Sequence, residues 1–288
     1  MEMSGKRWIT YPSRSDVFTV HNISDIHLGH KACAEDRLAA DIQQIADDPN
    51  AFWVGGGDYA DYISYNDKRF VPNDLAEWLK PADLGHLGEV LTRKVRDVLW
   101  PIKHKCLGLA WGNHEWKYSN TQDQAHLHGW LCTEFGVPNF GYSALFDIVF
   151  VRVPECKQPE LHWTNPTPSK KNSRASFRFF IHHGNGASRT AGGKINMLVR
   201  HMTEIQADVY MCGHVHEKIG KREITIGGDM ACRNQTQKER IGIVSGSYYR
   251  SFCEGCTTYA ERMGLKPTSL GPSFVRIEPD KNRITGEI

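Results

Sequence analysis

Short strand-like runs alternate with amphipathic helical stretches along this chain, and the strand-like runs end, one after another, in polar residues able to bind metals. Residues 17–24 (VFTVHNIS), 51–54, 106–111 (CLGLAW), 144–153 (ALFDIVFVRV), 176–181 (SFRFFI) and 208–212 read as strands. Residues 34–46, 87–99, 121–135 and a stretch near 193–206 read as helices, and the last third looks β-rich. Such alternation predicts an α/β arrangement. Five strand-like runs are followed by Asp25-Ile-His27, Gly57-Asp58 with Asp61, Gly112-Asn113-His114-Glu115, His182-His183 and Gly213-His214-Val215-His216. Loops past strand ends are where α/β folds build sites, so placement and residue type point the same way.

With 17 Asp and 14 His, a shuffled chain is expected to contain DxH about 0.8 times, which makes that motif uninformative alone. The same arithmetic gives about 0.06 for GHxH and about 0.003 for GNHE, so their joint appearance needs another explanation.

Composition sets the surroundings. Lys and Arg number 35 against 33 Asp and Glu, a net +2 too balanced for nucleic-acid binding by bulk charge. Hydrophobic residues at 40% are a globular share, which excludes collagen-like and wholly disordered chains. No apolar run approaches the ~18–20 residues of a membrane span. The start of the chain lacks an apolar segment with a cleavage site, so a cytoplasmic protein without membrane attachment is expected. The eight cysteines are scattered rather than dense enough for a disulfide scaffold. Cys253 and Cys256 have metal-clip spacing but no second pair, so free thiols are expected there. Residues 154–174 hold four prolines and few apolar side chains, the pattern of a surface loop. No linker divides the chain, and one domain spanning 1–288 is expected.

The ordered motif set from Asp25 to His216 resembles the calcineurin-like metallophosphoesterases. The resemblance implies a two-layer β-sandwich of mixed sheets flanked by α-helices, with a dinuclear metal centre at the strand ends. It places Asp25, His27 and His216 on one metal and Asn113, His182 and His214 on the other, with Asp58 bridging. It places His114 against the scissile phosphate, oriented by Asp61. Every one of these positions is filled, which argues against a scaffold that has lost catalysis.

Elementary chemistry agrees. Carboxylate, imidazole and amide ligands suit divalent Mn, the expected ion, and equally Fe, Zn, Co or Ni. Two such cations can share a water, lower its pKa toward ~7 and clamp a phosphate for in-line attack. An imidazole beside them can protonate the leaving oxygen. His183 is the alternative to His182, because neighbours on a strand point to opposite faces; the family pattern favours His182. His126 and His128, two apart on a helix, do not share a face and are expected at the surface or in packing. Glu115 is expected to be a supporting carboxylate, and His30 a solvated loop residue, with a place lining the cleft as its alternative.

The substrate is less sharply marked. DIHLG resembles the nuclease branch of the family, while GDxxD and GNHE resemble the phosphoprotein phosphatases. That second branch carries Arg after the second Asp, where this chain has Tyr62. Losing a bidentate guanidinium weakens recognition of a dianionic monoester more than of a monoanionic diester. Lys170, Lys171, Arg174 and Arg178 cluster near the Pro-rich segment, and Arg189 and Lys194 follow as candidate substrate-binding residues. Trp111, Trp116, Tyr118 and Trp163 offer stacking faces of the kind single strands use. The expectation is a phosphodiesterase or nuclease acting on DNA, RNA or nucleotides; the alternative is a phosphomonoesterase or Ser/Thr phosphoprotein phosphatase.

Overall fold

The computed structural model describes residues 1–122, 126–168, 172–186, 188, 190–229 and 232–287. Its strands are β1 (Glu2–Tyr11), β2 (Phe18–Ile23), β3 (Ala51–Gly55), β4 (Cys106–Leu109), β5 (Ser143–Arg152), β6 (Glu160–His162), β7 (Arg174–His182), β8 (Val209–Cys212), β9 (Ile219–Gly228), β10 (Gln235–Val244), β11 (Ser273–Glu278) and β12 (Arg283–Glu287). The helices are α1 (Glu35–Asp47), α2 (Leu87–Leu99), α3 (Asn113–Gln122), α4 (His126–Phe135), α5 (Ala191–Glu204) and the single turn α6 (Tyr259–Arg262).

Two sheets form. One has the order β6-β1-β5-β7-β8-β10-β9 and the other β12-β11-β2-β3-β4. Both mix parallel and antiparallel pairs: β2, β3 and β4 run parallel, as do β7, β8 and β10, while β5 runs against β7 and β11 against β2. This is the mixed α/β fold the motifs implied.

Period-2 alternation decides what lies between the sheets. Phe18 and Val20 of β2, Phe146, Ile148 and Phe150 of β5, and Phe177, Phe179 and Ile181 of β7 interlock with Val275 and Ile277 of β11 in one buried layer. The outer faces take the helices. Leu38, Ile42 and Ile45 of α1, Leu91 and Val95 of α2, and Leu131 of α4 cover Ile23 and Trp53. Phe180 and Tyr210 are covered by Leu198 and Met202 of α5. A fully buried Phe or Leu of this kind stabilises by roughly 1.5–3 kcal/mol relative to exposure. All five motifs follow the carboxyl ends of β2, β3, β4, β7 and β8, so the sandwich brings them to one edge.

Several local expectations differ from the structure. The described residues of 154–174 are largely exposed but include β6, which pairs antiparallel with β1. The strand β1, EMSGKRWITY, pairs parallel with β5 although its first half is polar and exposed. The GNHE motif opens α3, whose sequence NHEWKYSNTQ lacks an apolar stripe. His128 is a packing residue, near-parallel to the Tyr59 ring at 6.1 Å, and His126 is exposed. Among the described residues, no helix is long and apolar enough to cross a membrane.

Two buried histidines away from the motifs give the fold an acid limit. Burial lowers His21 to about 4, with Lys105 adding to the effect, and lowers His128 to about 4 against its hydrogen bonds. The unfolded chain binds these protons near pH 6.5 and the folded one does not. Each therefore contributes on the order of 3 kcal/mol that is complete above pH 6.5 and lost by about pH 4. Urea unfolding in EDTA across this range is expected to show proton uptake on unfolding that drops by about one in His128→Gln. Unchanged uptake in that variant would contradict the assignment.

Candidate metal centre

Each motif residue owes its place to a strand end. Asp25 follows β2, and its buried Oδ2 accepts the His214 N–H at 2.9 Å and the Ser24 hydroxyl at 2.5 Å. Asp58 follows β3, and its Oδ1 accepts the His114 N–H at 2.8 Å. Glu115 anchors this second loop: its carboxylate accepts the N–H groups of Asp58, Tyr59 and Gly112 at 2.7–2.9 Å. Burial and then the charge of Asp58 raise Glu115 to about 7. Gly112 and Gly213 are fixed by contact, since an added Cβ would strike Asp58 Oδ1 at the first and lie 2.6 Å from Asp25 Oδ2 at the second.

Backbone strain concentrates here. Eight non-glycine residues among those described have left-handed φ, and five of them are Asp25, His27, Asp58, His214 and His216. Each such residue costs on the order of 1 kcal/mol or more. The fold holds five strained residues in one place, which is the pattern of a binding site rather than of packing.

Three groups of side chains converge: Asp25, His27 and His216; His27, Asp58 and His114; and Asp58, His183 and His214, each with one ligand atom per residue within 4.8 Å of the others. Asp58 and His27 each belong to two groups, so the three form one continuous cluster. His27 Nε2 lies 3.2 Å from His216 Nε2, which lies 3.2 Å from Asp25 Oδ1. His183 Nδ1 donates to the Gly56 carbonyl at 2.8 Å, so its Nε2 lone pair faces Asn113 Oδ1 at 3.1 Å and Asp58 Oδ2 at 3.2 Å. Converging acceptors of this kind repel unless a cation stands among them. A proton can stand in for that cation: burial alone would depress His183, yet Asp58 and then Asp25 raise it to about 10, and burial opposes ionisation of Asp25, yet His216 and His183 hold it at about 2. The donor set therefore fits divalent metal ions.

His183, not His182, enters this cluster, which corrects the expectation. The parity of β7 explains it: Phe177, Phe179 and Ile181 face the inter-sheet layer and His183 continues that face. His182 shares the opposite face with Phe180 and packs on α5, 4.8 Å from the His201 ring. Asp25, His27, Asp58, His214 and His216 belong to the convergent groups, and Asn113 stands beside them through Oδ1. His114 Nδ1 donates to the backbone carbonyl of Asp61, whose carboxylate is 3.8 Å from His114 Nδ1 and 3.5 Å from His27 Nδ1. Asp61 thus touches both rings, His114 mainly through its main chain.

The cluster floors a cavity of about 730 Å³. Lys194 lines it, with Nζ bonded to the Val215 carbonyl at 3.1 Å and to Glu217 at 2.8 Å. Arg189, Lys170 and Lys171 lie outside the described residues. Arg174 stacks on Trp8 and Arg178 pairs with Asp147, away from the cavity. Trp111, Trp116, Tyr118 and Trp163 do not line it either; Trp163 covers Arg7. His30 is buried rather than solvated, with its ring 4.8 Å from Tyr249. Tyr62 turns its hydroxyl to Thr92 at 2.9 Å. Sequence reasoning missed Arg69 and residues 259–268 as cavity walls, because no local motif marks them.

Residues 18–218 match the family described as calcineurin-like phosphoesterase, and the chain belongs to it. As a member it is a metal-dependent phosphoester hydrolase. No curated protein matches the chain in sequence. Among solved structures it is similar to a metallophosphoesterase from Sphaerobacter thermophilus (15% identity, 93% of this chain and 87% of that one, TM-score 0.36). It is similar also to a conserved uncharacterized protein of Streptococcus pneumoniae TIGR4 titled a predicted phosphoesterase (9%, 91% and 84%, 0.32). A third is the NAD nucleotidase of Haemophilus influenzae (8%, 0.39), where 95% of this chain spans 49% of that one. The family assignment rests on the sequence match.

Proposed function

We propose that this protein is a cytosolic phosphodiesterase that uses two divalent ions, Mn²⁺ foremost, on nucleotides or nucleic acids. Asp25, His27 and His216 would hold one ion, Asn113, His183 and His214 the other, and Asp58 would serve both. The observation that carries this is that Asp58 converges both with His27, a member of the first group, and with His183 and His214. Ions bound there would activate water and offset the charge that builds on the phosphate oxygens. The chain's own residues do the rest. His114 commits Nδ1–H to the Asp61 carbonyl, which leaves Nε2 as the atom that passes a proton to the leaving oxygen. Two cations that a dianion would want are otherwise engaged or absent: position 62 is Tyr, and Arg69 is gripped by Asp67 through Nε and Nη2. That supports a singly charged diester. All eight cysteines are unbonded, which supports the cytosol.

Phosphomonoester hydrolysis is the second reading, favoured by Arg69 and Lys194 both lining the cavity. The Mn²⁺-loaded protein is to be assayed on bis-p-nitrophenyl phosphate and p-nitrophenyl phosphate. Metal-dependent diester turnover is expected; its absence rejects the proposal, and monoester turnover far in excess selects the second reading. His114→Ala is expected to lower turnover of an alkyl diester by about 10²–10⁴-fold with both ions retained. The loss should be smaller for a p-nitrophenyl ester, whose leaving group is stable as an anion and needs no proton. Equal losses on both esters would remove His114 from the proton-transfer role.

A further inference from the structure

The cavity has two unlike sides. Its floor is the cluster of candidate metal ligands. Its walls include residues 259–268, beyond the family match, which ends at 218, and residues 69–75. Its large apolar side chains are Tyr259, Met263 and Leu265 from one segment and Phe70, Val71 and Leu75 from the other, with the charged Arg69, Asp74, Arg262 and Lys266 among them. Tyr259 and Met263 remain 54% and 42% exposed, which is costly unless something covers them. Large apolar side chains gathered round one cavity mark a ligand site.

The wall is also tied to the metal floor. Buried Thr258 caps α6 by accepting the Glu261 N–H at 3.1 Å, and Ala260 packs with Ala32 and Tyr249. The Tyr249 ring in turn stands 5.4 Å from His27 and 6.2 Å from His216. A group resting on the wall is therefore held in register with a phosphate at the floor. The volume of about 730 Å³ lies in the range of small-molecule sites. A polymer would need a cationic groove with stacking platforms. Of the described residues expected to supply one, Arg174, Arg178 and the four aromatics lie elsewhere, and Lys194, which lines the cavity, is paired with Glu217.

We infer that this wall binds the esterified group of the substrate, and that the substrate class is a phosphoester of a single compact aromatic group, a nucleoside in particular. The inference rests on the phosphodiesterase reading for its chemistry but not for its test. Tyr259, Met263 and Leu265 are the specificity-determining residues.

The test is calorimetric titration of the full-length Mn²⁺-loaded protein with thymidine 5′-monophosphate and with methyl phosphate. Both present the same phosphate and differ only in the group the wall would hold. The nucleotide is expected to bind at least about tenfold more tightly, about 1.4 kcal/mol. Tyr259→Ala and Met263→Ser are each expected to erase most of that preference, with manganese content equal to that of the parent protein. Equal binding of the two probes, or a preference unmoved by both substitutions, overturns the inference whatever the diester assay gives. Preference without diester turnover leaves the wall standing and rejects the diesterase reading. Cutting of closed circular single-stranded DNA as fast as a dinucleotide overturns the limit to a single nucleoside.

Discussion

Asp58→Asn is expected to abolish turnover, by more than about 10³-fold, and to lower manganese content from about two ions per chain to one or fewer. The side chain is fully enclosed and every oxygen is in use. Oδ1 accepts the His114 N–H at 2.8 Å and Oδ2 stands 3.2 Å from His183 Nε2. Burial opposes its ionisation, yet His183 and His114 hold it well below the usual carboxylate range, so the site is built round an anion. An amide keeps the shape but removes the charge and turns one oxygen into a donor aimed at neighbouring imidazoles or cations. Because Asp58 belongs to two of the three convergent groups, the change disturbs both positions. Elemental analysis beside a bis-p-nitrophenyl phosphate assay measures both effects. A variant with two ions and undiminished turnover would show that Asp58 is not shared.

The parts of this site legible in the sequence are those that follow one strand into one loop. Asp25-Ile-His27, Gly57-Asp58, Asn113-His114 and His214-Val215-His216 could be placed because an apolar run immediately precedes each. Glu115 was legible as a support, and its three backbone N–H partners explain why a carboxylate is needed there. The strand β1 was not legible, because its polar first half, EMSGK, hides the period-2 signal that Trp8 to Tyr11 carry. Neither was the cavity wall. Residues 69–75 and 259–268 are almost two hundred positions apart and meet only through tertiary packing. Of the described basic and aromatic residues picked for a nucleic-acid groove, Lys194 lines the cavity, while Arg174, Arg178 and the four aromatics do not, so nearness along the chain was a poor guide. His182 against His183 was decidable in principle. The alternation of Phe177, Phe179 and Ile181 sets the parity of β7, and continuing it by two residues reaches His183.

That parity makes the sharpest contrast between adjacent residues. His183→Ala is expected to remove one manganese ion per chain and to cost more than about 10³-fold in turnover. His182→Ala is expected to retain both ions and turnover within about threefold, with a stability loss of about 1–3 kcal/mol from the space left against α5. The reasoning is positional. His183 is wholly buried, spends Nδ1–H on the Gly56 carbonyl, and presents one lone pair beside Asn113 and Asp58. His182 accepts the Gly184 N–H at 2.8 Å on its Nδ1 and lies among Tyr142, Phe180 and His201, rings that line no cavity with the cluster. Burial first, then His201, lowers it to about 4, so at neutral pH it is an uncharged packing residue. Metal content separates the two roles directly, since a packing defect lowers the melting temperature without emptying a ligand position. Should the alanine at 182 release an ion and the one at 183 not, β7 would have to enter the site with the opposite face. Phe177, Phe179 and Ile181 would then leave the inter-sheet layer, an exchange the sandwich could not survive.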